Sequence, residues 1–528
     1  MASLTASAAQ ATASGALTEL VALGAIDVYL SADANFTYFR LRYQRYTNFA
    51  MESVVQPFNT SAFGSQQSLT LNRSGDLIYF MYCVIEIPGI TACVPGQGAD
   101  CAGVVGITNG SSFPTPYGQA DAKGCSPCNE FDNDVYSTYL SDAEIEAAIA
   151  AQNSGADPNA VADAMTLGKN RWLKDKYGGC TQLSCCQPGD DCPSDCCSEL
   201  HTDDPTANVP YAYWTNTIGQ VIVQSAWISI GGTNIDILYS EFLFAWEELA
   251  GVAGKRLREM IGKRDSRAQL VCDSGQRRTL YVPLPFWFTM HSGQALSLAS
   301  LQFHQVQVWL QFRRLQECIV VSDRAAVVKN CQTGCCITSA DIQAALECMY
   351  IYLDAKERDK FSQAQFENLI TQTQFTHVQS CNSQIRTQLN FNHPVLELIF
   401  MVRRQCQEQS NNWFNFSGID GRDPIVRAGL SLNNQPRFNK PGPWFRLVQP
   451  YQHHNLIPDS YVYNYCFALH PQSQSPSGSC NMSRIDHVDM QIQLQDGLGR
   501  EQVTFICFGR NWNVLRFRDG LGGLAYTA

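Results

Sequence analysis

The chain is short of charge. Asp, Glu, Lys and Arg make up 16% of its 528 residues, well under the ~25% usual in soluble domains. Gln, Asn, Ser and Thr take the space, a surface suited to lasting contact with other protein. Cationic groups are the scarcer kind, 37 against 48 acidic ones, for a net charge of −11. That excludes a basic nucleic-acid groove. The dense basic run from Gly254 to Arg267 also carries Glu259 and Asp265, and reads as a solvated helix and loop. No apolar run reaches the ~18 residues of a membrane span. The longest, Asp76 to Pro88, is β-branched and aromatic and reads as a buried strand. The first basic residue is Arg40, so the opening residues make no secretory signal and read as an arm.

Reaction motifs are missing too. There is no phosphate loop, no dinucleotide loop, no His-Glu-x-x-His and no Gly-x-Ser-x-Gly. Histidines number only 9. His304 shares a strand face with Val306 and Val308 and reads as a satisfied core residue. His453 and His454 are adjacent. As neighbours on a strand they would point to opposite faces and could not both serve one metal. No enzyme, cofactor or metal ligand set is expected.

What the chain has is strand after short strand. In Thr37 to Gln44 the residues Thr37, Phe39, Leu41 and Tyr43 alternate with Tyr38, Arg40, Arg42 and Gln44, which predicts a half-buried strand. Two strand-like runs flank Gly231-Gly232, a hairpin signal. "YSEFLFAWEEL" changes period, placing Phe242, Ala245, Trp246 and Leu249 on one helical face. Pro283 and Pro285 put "LYVPLPFWF" at a sheet edge. "CMYIYLDAKERDKF" reads as a strand entering a helix with Asp354 and Glu357 as a capping box. "HPVLELIFMVRR", "SYVYNYCFALH", "RIDHVDMQIQLQ", "EQVTFICF" and "WNVLRFR" complete the second half. The pattern is all-β, with jelly-roll sandwiches, and two of them account for the length. Between Pro88 and Pro210 it breaks. Helical signals start at Ser141 and Asp157, and the stretch reads as a helical, Cys-rich loop insertion.

The chain holds 22 cysteines. Those at Cys125, Cys128, Cys180, Cys185, Cys186, Cys192, Cys196 and Cys197 lie in the insertion. Cys318, Cys331, Cys335, Cys336 and Cys348 form a second cluster. Paired zinc knuckles at ribbon spacing are lacking, and Asp190, Asp191 and Asp195 disfavour thiolates. From Gln182 to Pro205 the only aliphatics are Leu183 and Leu200, so a segment that cannot build a core needs staples. Each bridge closing ~15 residues contributes about 3 kcal/mol in the chain-entropy account. Structural disulfides therefore rank first, zinc second and catalytic redox third. Cys83, Cys466 and Cys507, isolated on strands, read as small buried hydrophobes. Of six glycosylation sequons, Asn109 has the best loop context.

Seven stretches resemble the major capsid proteins of nucleocytoplasmic large DNA viruses, in the family's order. They are "GALTELVALGAIDVYLSADANFTYFRLRYQRYTNFAME", containing Asn48 and Phe49, and "TLYVPLPFWF" with Pro285, Phe286 and Trp287. "YIYLDAKERDKFSQ" and "LNFNHPVLELIF" follow. Then come "FRLVQPYQHHNLIP" with His453 and His454, and "PSGSCNMSRIDHVDMQIQL" with Ser483, Arg484, Ile485 and Asp486. "NVLRFRDGLGGLAY" is last. The resemblance implies two consecutive eight-stranded jelly rolls, with an arm at 1–24 and a first jelly roll at 25–315 carrying the insertion at about 90–208. A Cys-rich linker at 316–345 and a second jelly roll at 346–528 would follow. It implies a homotrimer forming a pseudo-hexameric capsomer beside neighbouring capsomers, penton and minor capsid proteins. That shell would lie over an internal viral membrane, without direct nucleic-acid contact, in a virion assembled in the host cytoplasm. The alternative is a carbohydrate-binding or carbohydrate-active jelly-roll protein.

Overall fold

The computed structural model describes residues 49–93, 211–321 and 327–527, apart from Gly334 and Ala364, together with Val21, Ala22 and part of 37–48. The chain divides after Asn48 into an N-terminal segment and one body, Phe49–Ala528. The strand expected at 37–44 is not formed at the described positions. Phe39 sits in a turn, and Phe39, Leu41 and Tyr43 are exposed. Alternation specifies an apolar face, but a strand also needs a neighbour to accept its ladder hydrogen bonds.

Eight main strands build the first lobe: β1 Phe49–Pro57, β2 Gln66–Thr70, β3 Leu77–Ile87, β4 Val223–Ile230, β5 Thr233–Tyr239, β6 Arg278–Pro283, β7 Val306–Phe312 and β8 Gln343–Leu353. They form two facing sheets, ordered β1-β8-β3-β6 and β2-β7-β4-β5, all antiparallel. Eight more build the second: β9 Phe366–Ser380, β10 Gln384–Gln388, β11 Pro394–Arg404, β12 Ile425–Leu432, β13 Gln435–Pro441, β14 Tyr463–Cys466, β15 Val488–Leu494 and β16 Val503–Arg518. Their sheets run β9-β16-β11-β14 and β10-β15-β12-β13. Adding eight to each label of the first lobe gives the second. These are two jelly rolls of one strand order.

The expected break at 346 falls inside β8 and is corrected by its partners. Phe49 pairs with Leu353 and Leu77 with Ile351, so the first lobe ends with Leu353. Part of the stretch expected as a linker at 316–345 belongs to that lobe as well, because Ile319–Val321 pairs with Ala212–Trp214. A buried strand announces itself by apolar residues, but which sheet it enters depends on partners far away in sequence.

Each lobe fills its core by alternation. On β7, Val306, Val308, Leu310 and Phe312 are buried while Gln307, Trp309 and Gln311 face outward. Full burial of one such side chain stabilises by roughly 1.5–3 kcal/mol. Pro283 ends an edge strand, as expected, and Pro436 and Pro441 lie on another, β13. The hairpins β4–β5 and β12–β13 turn through two residues each, Gly231-Gly232 and Asn433-Asn434, all four with positive φ. Such turns match the twist of paired strands, and glycine or asparagine tolerates the left-handed backbone.

Candidate assembly site: the seam between the lobes and the apolar edge

β16 is buried on both faces. Phe505 and Cys507 point into the second lobe's own core, whereas Ile506 and Phe508 join the core cluster of the first. Phe508 meets Phe242 edge-on at 5.6 Å between ring centroids and lies 5.1 Å from Phe375. The element pressed against this face is α1, Ser240–Ala250, which follows β5 directly. Its expected apolar face is present, with Phe242, Ala245 and Leu249 buried. Leu243 and Phe244 are buried as well, because the helix is covered by both lobes, and Phe244 stacks on Phe414 at 4.6 Å.

Buried charge crosses the same seam. Glu241 accepts a hydrogen bond from Arg403 Nη1 at 2.9 Å and lies 3.9 Å from Arg313 Nη2. Burial pulls its pKa upward, but the two guanidiniums outweigh that and hold it at about 2. Both arginines also lie over the Trp413 ring, 3.8 and 5.0 Å from its centroid. Asp236 behaves oppositely. Burial pushes it up to about 7, although the Thr373 and Ile237 amides donate to it at 2.9 and 3.0 Å and Arg510 favours its charge. Asn411 donates to the carbonyls of Gln316 and Ile319, and Thr215 donates to the Asn411 carbonyl. Glu248 accepts from the Asp459 amide at 2.9 Å and pairs with Lys263 at 2.7 Å. The basic run is thus tied down by acids, Arg264 also pairing with Glu259.

Exposed apolar residues occur on both lobes, and three of them share one edge strand. On β1, Phe49, Met51 and Val55 are 52%, 45% and 57% exposed. In the second lobe Tyr451 and Leu469 are exposed likewise.

The residues singled out from sequence are scattered among these features. Asn48 is exposed just ahead of β1. Phe286 and Trp287 are core residues of the first lobe, with Pro285 beside them half-buried. Ser483 and Arg484 form a short turn in which the Ser483 hydroxyl accepts from the His393 amide at 2.7 Å. Ile485 then packs on the second core, and Asp486 follows just before β15. His304 precedes β7 and is satisfied by the Gly522 carbonyl at 2.9 Å. His453 and His454 lie at the end of a helix, Gln449–His453, not on a strand. Sequence periodicity over so short a turn could not separate the two. His453 contacts the Leu469 carbonyl, while His454 turns inward to Glu397.

Of the cysteines expected to form bridges, Cys336 is disulfide-bonded. Cys318 and Cys348 are corrected: both are unbridged thiols in the first core, pushed up by burial, Cys348 to about 12. Each lies among apolar side chains, so each does the work of a small hydrophobe. Cys335 is an exposed thiol, and the Cys331 amide donates to the Gly89 carbonyl. Cys83 and Cys507 are buried as expected, but Cys466 contacts polar groups instead of an apolar core. The candidates Cys125, Cys128, Cys180, Cys185, Cys186, Cys192, Cys196 and Cys197 and the sequon at Asn109 lie outside the described residues. No helix among the described residues is long and apolar enough to cross a membrane.

Two jelly rolls of one strand order, fused back to face through a buried seam, define a double jelly-roll subunit. Comparison with known proteins narrows the class. The chain belongs to the major capsid proteins of large eukaryotic DNA viruses. The family "Large eukaryotic DNA virus major capsid protein" matches residues 357–523, and "Major capsid protein N-terminus" matches 37–105 and 196–354. The two matches meet just after Leu353, where the lobes change over, and the second passes over 106–195. The major capsid protein of Pyramimonas orientalis virus is 29% identical, over 97% of this chain and 99% of that one. That of Phaeocystis pouchetii virus is 27% identical over the same shares. Among solved structures, a chain of the PBCV-1 virus capsid shares the fold at a TM-score of 0.59, with 21% identity, over 93% of this chain and 100% of that one. The Faustovirus major capsid protein gives 0.59 at 10% identity, covering 94% of each chain. The chain is a structural capsid component, not an enzyme.

Proposed function

We propose that three copies of this chain associate into a capsomer with six jelly-roll lobes, and that such capsomers tile the outer shell of the virion. The repeated strand order carries the reading: two equivalent lobes per chain and three chains give a pseudo-sixfold outline, which packs flat while its true symmetry is threefold. The seam fixes the angle between the lobes within each chain. The exposed β1 edge, with Phe49, Met51 and Val55, supplies apolar surface for a neighbouring copy. An obligate interface of this kind buries roughly 2,000–5,000 Å². Penton and minor capsid proteins would meet the edges of such capsomers, with a viral membrane beneath and assembly in the host cytoplasm.

The Cys-rich stretch about 90–208 joins β3 to β4 as an insertion on the first lobe, and its cysteines act as staples of an outward loop that also carries the sequon Asn109. Sedimentation equilibrium of the purified chain tests the main reading. A mass of three chains is expected, and a monomer at assembly concentrations overturns it. Intact mass before and after alkylation tests the staples, with most insertion cysteines resisting alkylation until reduced.

A further inference from the structure

We propose that Glu397, His454 and Cys466 bind one zinc-class divalent ion that pins the helical turn after β13 onto the second lobe's sheet. Glu397 on β11 and Cys466 on β14 are direct cross-strand partners, and His454 reaches them from the end of the helix Gln449–His453. The ligand atoms form a closed triangle. His454 Nε2 is 2.8 Å from Glu397 Oε2, and Cys466 Sγ is 3.7 Å from that nitrogen and 4.0 Å from that oxygen. Those three edges fix a point about 2.1 Å from every corner, against zinc bonds of about 2.0–2.2 Å to nitrogen or oxygen and about 2.3 Å to sulfur. A small shift of the ion within the plane, away from the sulfur, lengthens the sulfur bond and shortens the other two. Asn464 Oδ1 lies 2.8 Å from Cys466 Sγ and accepts from its thiol in the absence of an ion. Glu397 and Asn464 are fully buried, and the His454 side chain is 0% exposed.

The surroundings orient these ligands. Arg510 Nη1 donates to the other Glu397 oxygen at 3.3 Å, leaving Oε2 for the ion. His454 Nδ1 lies 2.9 Å from the Gln472 side-chain amide. With an ion on Nε2, Nδ1 carries the proton, and the Gln472 amide, whose nitrogen also donates to the Leu249 carbonyl at 3.2 Å, has to turn to present its oxygen. The Cys466 thiol gives its proton to solvent on binding, and thiolate plus carboxylate neutralise the dication. A mixed sulfur, nitrogen and oxygen set selects zinc or cobalt over magnesium or calcium. Without an ion, the same groups satisfy one another: Glu397 accepts from Asn464 Nδ2 at 2.8 Å and pairs with His454. The experiment has to separate these two states.

Cobalt(II) titration of the full chain, first stripped with a chelator, does so. Wild type is expected to bind one equivalent more than Cys466→Ala and to show the thiolate-to-cobalt charge transfer of one additional sulfur. Chelation is expected to lower the melting temperature of wild type and not that of the variant. Equal uptake and equal charge-transfer intensity in both overturns the site, since other cysteines would then hold all the metal. If the alanine variant does not fold, Cys466→Ser, which keeps the side chain's size, must show the same loss of charge transfer. Full intensity in that variant overturns the site equally.

Discussion

The two lobes share every strand neighbour and differ in nearly everything between the strands. The connection from the third strand to the fourth runs from 88 to 222 in the first lobe and from 405 to 424 in the second. The connection before the last strand runs from 313 to 342 in one and from 495 to 502 in the other. Both lobes nevertheless place a helical stretch after the fifth strand. In the first it is α1; in the second it is a π-helical turn, Trp444–Val448, running into Gln449–His453. The difference teaches that a jelly roll is specified by alternation, edge placement and tight hairpins, while its loops are free to carry other tasks. It also shows an asymmetry of use. The first lobe presents its helix to the partner lobe, whereas the second presents the outer face of its sheet.

That asymmetry can be broken at the seam. Phe508→Ala removes the ring that meets Phe242 and Phe375, and should cost about 3–5 kcal/mol. Urea denaturation followed by fluorescence reads it. If the lobes are one cooperative body, a single transition moves to lower urea; two separated transitions would show them to be independent. Glu241→Gln removes the carboxylate that Arg313 and Arg403 share, leaving Arg403 only Glu408 at 3.8 Å, and loss of one member of a buried pair costs roughly 3–5 kcal/mol. Its pH signature follows from the depressed carboxyl. Held at about 2 when folded, against about 4.3 unfolded, it contributes its full stability above the unfolded value. That share is lost as pH falls through the interval, and the Gln variant should lose this acid slope.

A smaller effect of opposite sign is expected at Asp236. Its folded pKa of about 7 lies above the unfolded value of about 3.9. Stability from protonation is therefore fully present below about 3.9 and is lost progressively as pH rises to about 7. Asp236→Asn keeps an acceptor for the Thr373 and Ile237 amides and should stabilise the chain at pH 8, by on the order of 1 kcal/mol, and hardly at pH 4. Thermal melts at the two pH values decide it. Smallest of all is the hairpin comparison. Gly232→Ala in the first lobe and Asn434→Ala in the second each place alanine at positive φ, and should each cost about 1 kcal/mol. Equal losses would show the two turns to be equivalent, and an unequal pair would show where the parallel ends.

Much of this was legible in the sequence. The hairpin at Gly231-Gly232, the helix at "YSEFLFAWEEL", the edge strand at Pro283 and the long strand Leu77–Ile87 follow from local pattern, because each is fixed by its own residues. Strands β9, β10, β12 and β13 were not legible. β9 is rich in Thr, Gln and Asn, which carry little hydrophobic contrast, and β13 carries two prolines that an edge strand tolerates. The runs "EQVTFICF" and "WNVLRFR" read as two strands but form one, β16, because Arg510 and Asn511 between them are buried in the seam. The partners of Glu241 lie on distant elements, and neither they nor the convergence of Glu397, His454 and Cys466 follow any spacing rule. Long-range convergence of polar residues is what local pattern cannot express.

The pairing of β1 with β8 also bears on the order of events during synthesis. Tyr352 donates to Glu52 from 300 residues away, whereas β16 reaches β9 across 149, as in the ion pair of Arg516 with Glu367. At translation rates of ~5–20 residues per second, β1 leaves the ribosome roughly 15–60 s before β8, its one sheet neighbour among the described residues, exists. During that interval its backbone ladder and its apolar residues stand open, the condition under which nascent chains pair wrongly with one another. The first lobe closes only when Leu353 emerges, with the Cys-rich segment already made and still to be accommodated inside the loop.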